Sequence, residues 1–182
     1  DLVKLEQLAD KLISGKNNFE WGGMARARVE MSQEFLCKIK KAGAIYFTYG
    51  IESGAARVLA HMGKPLKKHI SQALERTHNA GIKVNTLWMV GYPVERWSDI
   101  IETTMFLLKN RKYIDEFVSV SCCYIPHKSR LWREQESLNI RYTKNSEWYI
   151  RGKNSLWVRG LRRGMLLVFA KALGVYKRGI PQ

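Results

Sequence analysis

Cysteine is scarce: the chain has three, Cys37 and the adjacent pair Cys122 and Cys123. An odd count without a spacing framework excludes a disulfide-stapled scaffold and points to free thiols in a reducing, cytoplasmic setting. The adjacent pair cannot chelate one ion, because neighbours on a strand point to opposite faces. Cys37 reads as a small hydrophobe inside a helix. The histidines, His61, His69, His78 and His127, show neither ligand spacing nor a partnered acid, so no metal site is expected from them. There is no GxGxxG, Walker loop or nucleophile elbow, which removes the commonest dinucleotide, phosphate and hydrolase signatures. No apolar run reaches the ~18 residues of a spanning helix, and no signal-peptide pattern opens the chain.

Acidic residues are also few, with 16 Asp and Glu against 31 Lys and Arg, for a formal charge of +15. The excess is concentrated: residues 141–182 hold ten basic residues against the single acid Glu147. Such a tail attracts an anionic partner, nucleic acid or a membrane surface, or else is a solvated face with no dedicated partner. Trp148, Tyr149 and Trp157 lie among these basic residues, an interleaving that suits bases and phosphates.

A hydrophobic content of 46% over 182 residues is enough for one domain with a real core. The chain opens on Asp1 rather than Met, and we expect a piece of a longer protein. Leu2, Leu5, Leu8, Leu12 and Ile13 recur at helical spacing, which predicts a helix over 2–14 stopped by Gly15. "NFEWGG" (18–23) reads as a short strand. "SQEFLCKIKKAG" (32–43) reads as a helix capped by Ser32 and ended at Gly43. "AIYFTYG" (44–50) is a continuous apolar strand, the pattern of one buried on both faces.

The cycle then repeats. A helix over 66–81 precedes a strand over 82–91, and a helix over 97–111, with Ser98 as its expected N-cap, precedes a strand over 116–125. Alternation of this kind means βα units and a parallel sheet, an α/β fold. After about residue 140 the pattern breaks. We expect a barrel-like domain over 1–140 and a basic extension over 141–182 with a helix at 155–177, packed on the domain or lying at an interface.

In such folds chemistry gathers at the carboxyl ends of the strands, so what each strand delivers there decides the reading. The first delivers Arg26 and Arg28, able to clamp a carboxylate. The second delivers "GIESG", with Glu52 and Ser53 between Gly50 and Gly54. Those glycines let backbone pass close to a ligand, and Glu52 can accept bonds from a ribose diol, or serve as a helix-start acid. The third delivers "GYPVE", with Gly91 and Pro93 in a tight turn and Glu95 as a ligand contact or helix-start acid. The fourth delivers Ile125, Pro126 and "HKSR".

The stretches "MARARVEMSQEFLCKIKKAGA", "YFTYGIESGAARVLAHMGK", "AGIKVNTLWMVGYPVE" and "YIPHKSRLW", in this order, resemble the radical S-adenosylmethionine enzymes, especially the cobalamin-binding and methylthiotransferase-like branches. The resemblance spans roughly residues 19–132. It implies a place in a (β/α)6 partial TIM-type barrel. It carries S-adenosylmethionine contacts onto Glu52 and Ser53, and onto Arg26 or Arg28, with Arg26 favoured. It puts the adenosine turn at Gly91 and Pro93 and the adenine side at Ile125 and Pro126. It also implies a [4Fe–4S] cluster that cleaves S-adenosylmethionine to a 5′-deoxyadenosyl radical, with cobalamin as a further cofactor and a small molecule or RNA as substrate.

Two departures stand out. The family's CxxxCxxC, which holds the cluster, is absent, as is the "GGE"-like motif of its second strand, and "PHKSRLW" replaces the usual "PGT". We therefore expect the C-terminal portion of the barrel, inactive alone, with an open strand edge at "NFEWGG" that invites a homodimer or domain swap. The competing reading from composition is a basic nucleic-acid-binding or scaffold module that keeps a half-barrel without cofactor.

Overall fold

A computed structural model describes residues 2–16, 18–144 and 147–176. Helix α1 (Leu2–Ser14) leads into strand β1 (Trp21–Ala25), helix α2 (Gln33–Lys41) and strand β2 (Ala44–Glu52). Helices α3 (Ala56–Met62) and α4 (Lys67–Asn79) precede strand β3 (Lys83–Val90), helix α5 (Trp97–Asn110) and strand β4 (Glu116–Cys122). A short helix α6 (Arg130–Arg133), a hairpin of β5 (Arg141–Tyr142) and β6 (Trp148–Tyr149), and helix α7 (Leu156–Ala172) complete the chain. Ser32 caps α2 by accepting from Phe35 N (3.1 Å), and Ser155 caps α7 through Val158 N (3.2 Å). Ser98 does not cap α5. The cap is Arg96, whose amide donates to Asp99 Oδ2 (2.6 Å), and the carboxylate three residues on outcompetes a hydroxyl already inside the helix.

β1–β4 are all parallel and stand in sequence order. Sequential order stacks the crossover helices on one face and leaves the other as the concave side of an arc. Along β2 the alternation shows this directly. Phe47, Tyr49 and Ile51 are buried under the helices, whereas Tyr46, Thr48, Gly50 and Glu52 lie on the half-open face. β2 is therefore not buried on both sides, as its unbroken apolar run suggested. Its inner face is only partly covered, and on neighbouring β1 the Met24 side chain is 78% exposed.

Beneath the helices, Trp88 stacks on Phe117 (5.6 Å, 9°), and Tyr49 OH meets Thr77 Oγ1 at 2.7 Å. The segment after residue 140 packs into the same cores: Leu166, Ala170 and Val175 join the cluster under the sheet, and Trp148 and Ile150 join the one above the strand exits. It also closes one sheet edge. Phe117 N donates to Val175 O (2.8 Å), and Arg163 Nε donates to Val120 O (2.9 Å). β1, at the opposite edge, has no strand partner on its outer side among the described residues.

Candidate functional site

β2 ends in a bulge: its register with β3 shifts between Gly50 and Glu52. The extra residue turns Glu52 to φ 68°, a left-handed conformation that bulky non-glycine residues adopt only when their surroundings impose it. Its carboxylate folds back over Gly50, where a Cβ would stand 2.8 Å from Oε1. Lys64 holds it in place, with Nζ 3.5 Å from Glu52 Oε1 and 2.9 Å from Gly50 O. Gly50 thus makes room for a side chain of its own chain. The result is a fixed, half-buried carboxylate on the concave face, backed by one ammonium.

Ser53 and Gly54 point the other way. Ser53 is buried, its Oγ 3.2 Å from Thr103 Oγ1 and accepting from Ala55 N (3.1 Å). Gly54 donates to Thr103 Oγ1 (3.0 Å), and a Cβ on it would meet Thr103 Cα at 2.8 Å. The expected backbone approach to a ligand at Gly54 is instead an approach to α5, because the chain must dive under that helix before α3 begins.

The third exit is fastened from behind. Gly91 (φ 75°) donates to Glu95 Oε2 (2.6 Å), and its carbonyl accepts from Asn154 Nδ2 (2.9 Å), which also reaches Tyr92 O (3.2 Å). Arg162 Nη1 donates to Glu95 Oε2 (3.2 Å), an ion pair whose side chains are 2% and 1% exposed. Burial outweighs these partners and pushes Glu95 up to about 7. Glu95 is the internal brace of the turn, two residues ahead of the first residue of α5.

Arg159 lies over the Trp148 ring (4.0 Å) and donates to Trp148 O (2.8 Å), while Trp148 Nε1 donates to Cys123 O (2.8 Å). Asn154, Arg159 and Arg162 are positioning residues that the sequence did not reveal, since they read there as part of a solvated basic tail. Trp148 is likewise buried and cannot offer its ring to a nucleobase.

Arg26 and Arg28 are exposed and share a cleft of about 350 Å³ with Lys64, the partner of Glu52. Pro93 borders a second cleft of about 550 Å³ and Ile125 a third of about 760 Å³, while Pro126 is exposed. The residues expected around a cofactor therefore share one edge of the sheet without sharing one cavity. The fold places Arg26, Lys64 and Glu52 together on one side of that edge.

The residues do not fit an iron–sulfur cluster. Cys37 is exposed on α2 rather than packed, with Gln33 Nε2 3.6 Å from its sulfur. Cys123 is buried, which pushes its thiol up to about 12 and keeps it protonated. Among the described residues no group of three His, Cys, Asp or Glu is placed to hold a metal ion. One histidine does have an acid nearby, contrary to expectation: His78 Nδ1 lies 3.8 Å from Asp115 Oδ2, across a strand–helix junction that sequence spacing hides. Nor is any helix among the described residues long and apolar enough to cross a membrane.

Comparison with known proteins agrees with this architecture. E. coli coproporphyrinogen III oxidase, HemN, described as a radical SAM enzyme, superposes with a TM-score of 0.67 at 15% identity, over 96% of this chain and 38% of that one. OxsB, a cobalamin-dependent S-adenosylmethionine radical enzyme with aqua-cobalamin bound, superposes with a TM-score of 0.55 at 15% identity, over 76% and 21%. In sequence, a candidate methylthiotransferase of Methanocaldococcus jannaschii is 31% identical over 122 residues, 65% of this chain and 26% of that protein. The chain thus spans about a quarter of that curated relative. The sequence model of the radical SAM superfamily matches residues 3–107, more than half of the chain, and the chain belongs to that superfamily.

Proposed function

We propose that these residues form the S-adenosylmethionine-facing C-terminal wall of a radical SAM catalytic barrel, working with a [4Fe–4S] cluster whose cysteine ligands lie outside these 182 residues. The carrying observation is Glu52: a carboxylate held in a left-handed bulge at the end of β2, on the concave face, with Lys64 as its one ionic partner among the described residues. A side chain constrained in this way at a strand exit is a pre-organised acceptor, suited to the ribose hydroxyls or the amino group of S-adenosylmethionine. Arg26, across the Lys64 cleft, is assigned to the methionyl carboxylate. Ser53 acts by pinning the bulge to Thr103. The turn from Gly91 to Pro93, with Ile125 and Pro126, faces the adenosine.

The cluster supplies the electron that cleaves S-adenosylmethionine; this chain's residues bind the cofactor, orient it and shield it from water. Cobalamin, a small-molecule or RNA substrate and a cytoplasmic setting belong to the same proposal. Alone, the chain binds S-adenosylmethionine weakly or not at all and is inactive. Calorimetry of the isolated chain, with visible spectra after incubation with iron and sulfide, tests this. Micromolar binding or a cluster spectrum would overturn it. In the cluster-bearing protein, Glu52→Gln should weaken cofactor binding on the order of tenfold, the scale of one charge-assisted hydrogen bond.

A further inference from the structure

The outward face of a helix in the outer layer of an α/β fold is ordinarily polar, because it meets water. α5 and α7 break that rule together. α5 exposes Trp97, Ile101, Met105 and Leu108, at 42%, 60%, 57% and 39%. α7 exposes Trp157, Leu161, Met165 and Val168, at 72%, 41%, 48% and 67%. Both sets advance by four, four and three residues, so each is one straight stripe along its helix. The helices pack on each other, and a groove of about 490 Å³ runs along α7 to Thr104 of α5, floored by Gly160 and Gly164.

Exposed cations stand at both ends of the two helices. Arg96 and Lys153 lie just before the two helices and Lys109 and Lys171 in their last turns, all exposed. α7 contains no acid. On α5, Asp99 is buried against Arg57 and Glu102 is paired with Lys67. Among the described residues Thr104 is the only one lining the groove with a polar side chain, so an occupant finds almost nothing there to hydrogen-bond. A nucleic acid or a polar protein surface would leave its donors and acceptors unpaired across that width. Hydrocarbon would not, and anionic headgroups would meet the cationic ends.

We propose that the α5–α7 face docks on an anionic lipid bilayer, with the two stripes entering the acyl boundary, Trp97 and Trp157 at the interface, and Arg96, Lys109, Lys153 and Lys171 on the headgroups. The association is peripheral and independent of the cofactor assignment, so its failure leaves that assignment standing.

The test is co-sedimentation of the 182-residue chain with vesicles of phosphatidylcholine mixed with phosphatidylglycerol, against phosphatidylcholine alone. Binding to the anionic vesicles should fall with added salt. Met165→Glu with Val168→Glu should weaken it more than about tenfold, with circular dichroism unchanged. Lys109→Ala or Lys171→Ala should each weaken it on the order of fivefold. Absence of binding to anionic vesicles would overturn the proposal, as would binding that the glutamate pair leaves intact. So would a self-association, or a salt-dependent RNA complex, that the same pair abolishes, since the face would then belong to a second copy or to nucleic acid.

Discussion

The aliphatic stem of Arg159 occupies the space that a side chain on residue 91 would need. Gly91 is also left-handed, at φ 75°, so two separate constraints exclude other residues there. Gly91→Ala should cost about 1 kcal/mol for the backbone and about 1–3 kcal/mol for overpacking. Urea unfolding should show the loss as a lower midpoint with an unchanged slope. A change within 0.5 kcal/mol, the range of ordinary surface substitutions, would mean that the turn relaxes freely and that α7 does not brace it.

Glu52 allows a cleaner separation of strain from contact. Glu52→Ala and Glu52→Gly both delete the carboxylate and its bond to Lys64, and differ only in how they tolerate φ 68°. The glycine variant should be more stable than the alanine variant by about 1 kcal/mol, the reverse of the usual order. Both should lose cofactor affinity equally in the cluster-bearing protein. Equal stabilities would show that the bulge is not held in the left-handed region.

The Glu95–Arg162 pair gives a pH dependence whose sign follows from burial. Glu95 is raised from 4.5 to about 7 in the folded chain, so the folded state holds its proton longer than the unfolded state does. Its contribution to stability is fullest below about 4.5 and is lost as pH rises towards 7, at most roughly 3 kcal/mol over that window. Glu95→Gln should flatten the pH profile of thermal unfolding between those limits. Arg162→Met, which strands the carboxylate, should destabilise by about 3–5 kcal/mol at pH 8 and by less at pH 5. A loss independent of pH would place the effect in packing alone.

The four βα cycles were legible because strand-like stretches, of which residues 44–50 are the most apolar, alternate with helices that carry a period and in several cases a stop residue, such as Gly15, Gly43 and Gly81. The exits Arg26, Glu52, Gly91 and Ile125 were legible as positions, since topology alone brings strand ends to one edge. Their orientations were not. Nothing local in "ESG" says that Ser53 turns inward to Thr103, fifty residues away. The basic tail misled most: Arg159 and Arg162 count as +2 in any composition, yet both are buried, one against an indole and one against a carboxylate. Charge counts carry no distances, and only the packed α7 shows where those guanidinium groups go.

The unpaired edge of β1 leads to a last expectation. Trp21–Ala25 has β2 on one side and no strand on the other among the described residues, and the exposed Met24 adds no charge to discourage a second strand. Natural edges are protected by charges, bulges or covering segments, as the Arg163 and Val175 contacts protect β4. β1 carries a register shift between Trp21 and Gly22 but has no strand along its outer side among the described residues. The isolated chain should therefore self-associate with rising concentration in sedimentation equilibrium, through β1 and not through α7. Met24→Lys puts a charge on the concave side of that strand and should shift the chain towards monomer, while Val168→Glu should leave the association unchanged. Monomer at every concentration would overturn this expectation, and a dimer sensitive only to Val168→Glu would move the contact to the α5–α7 face.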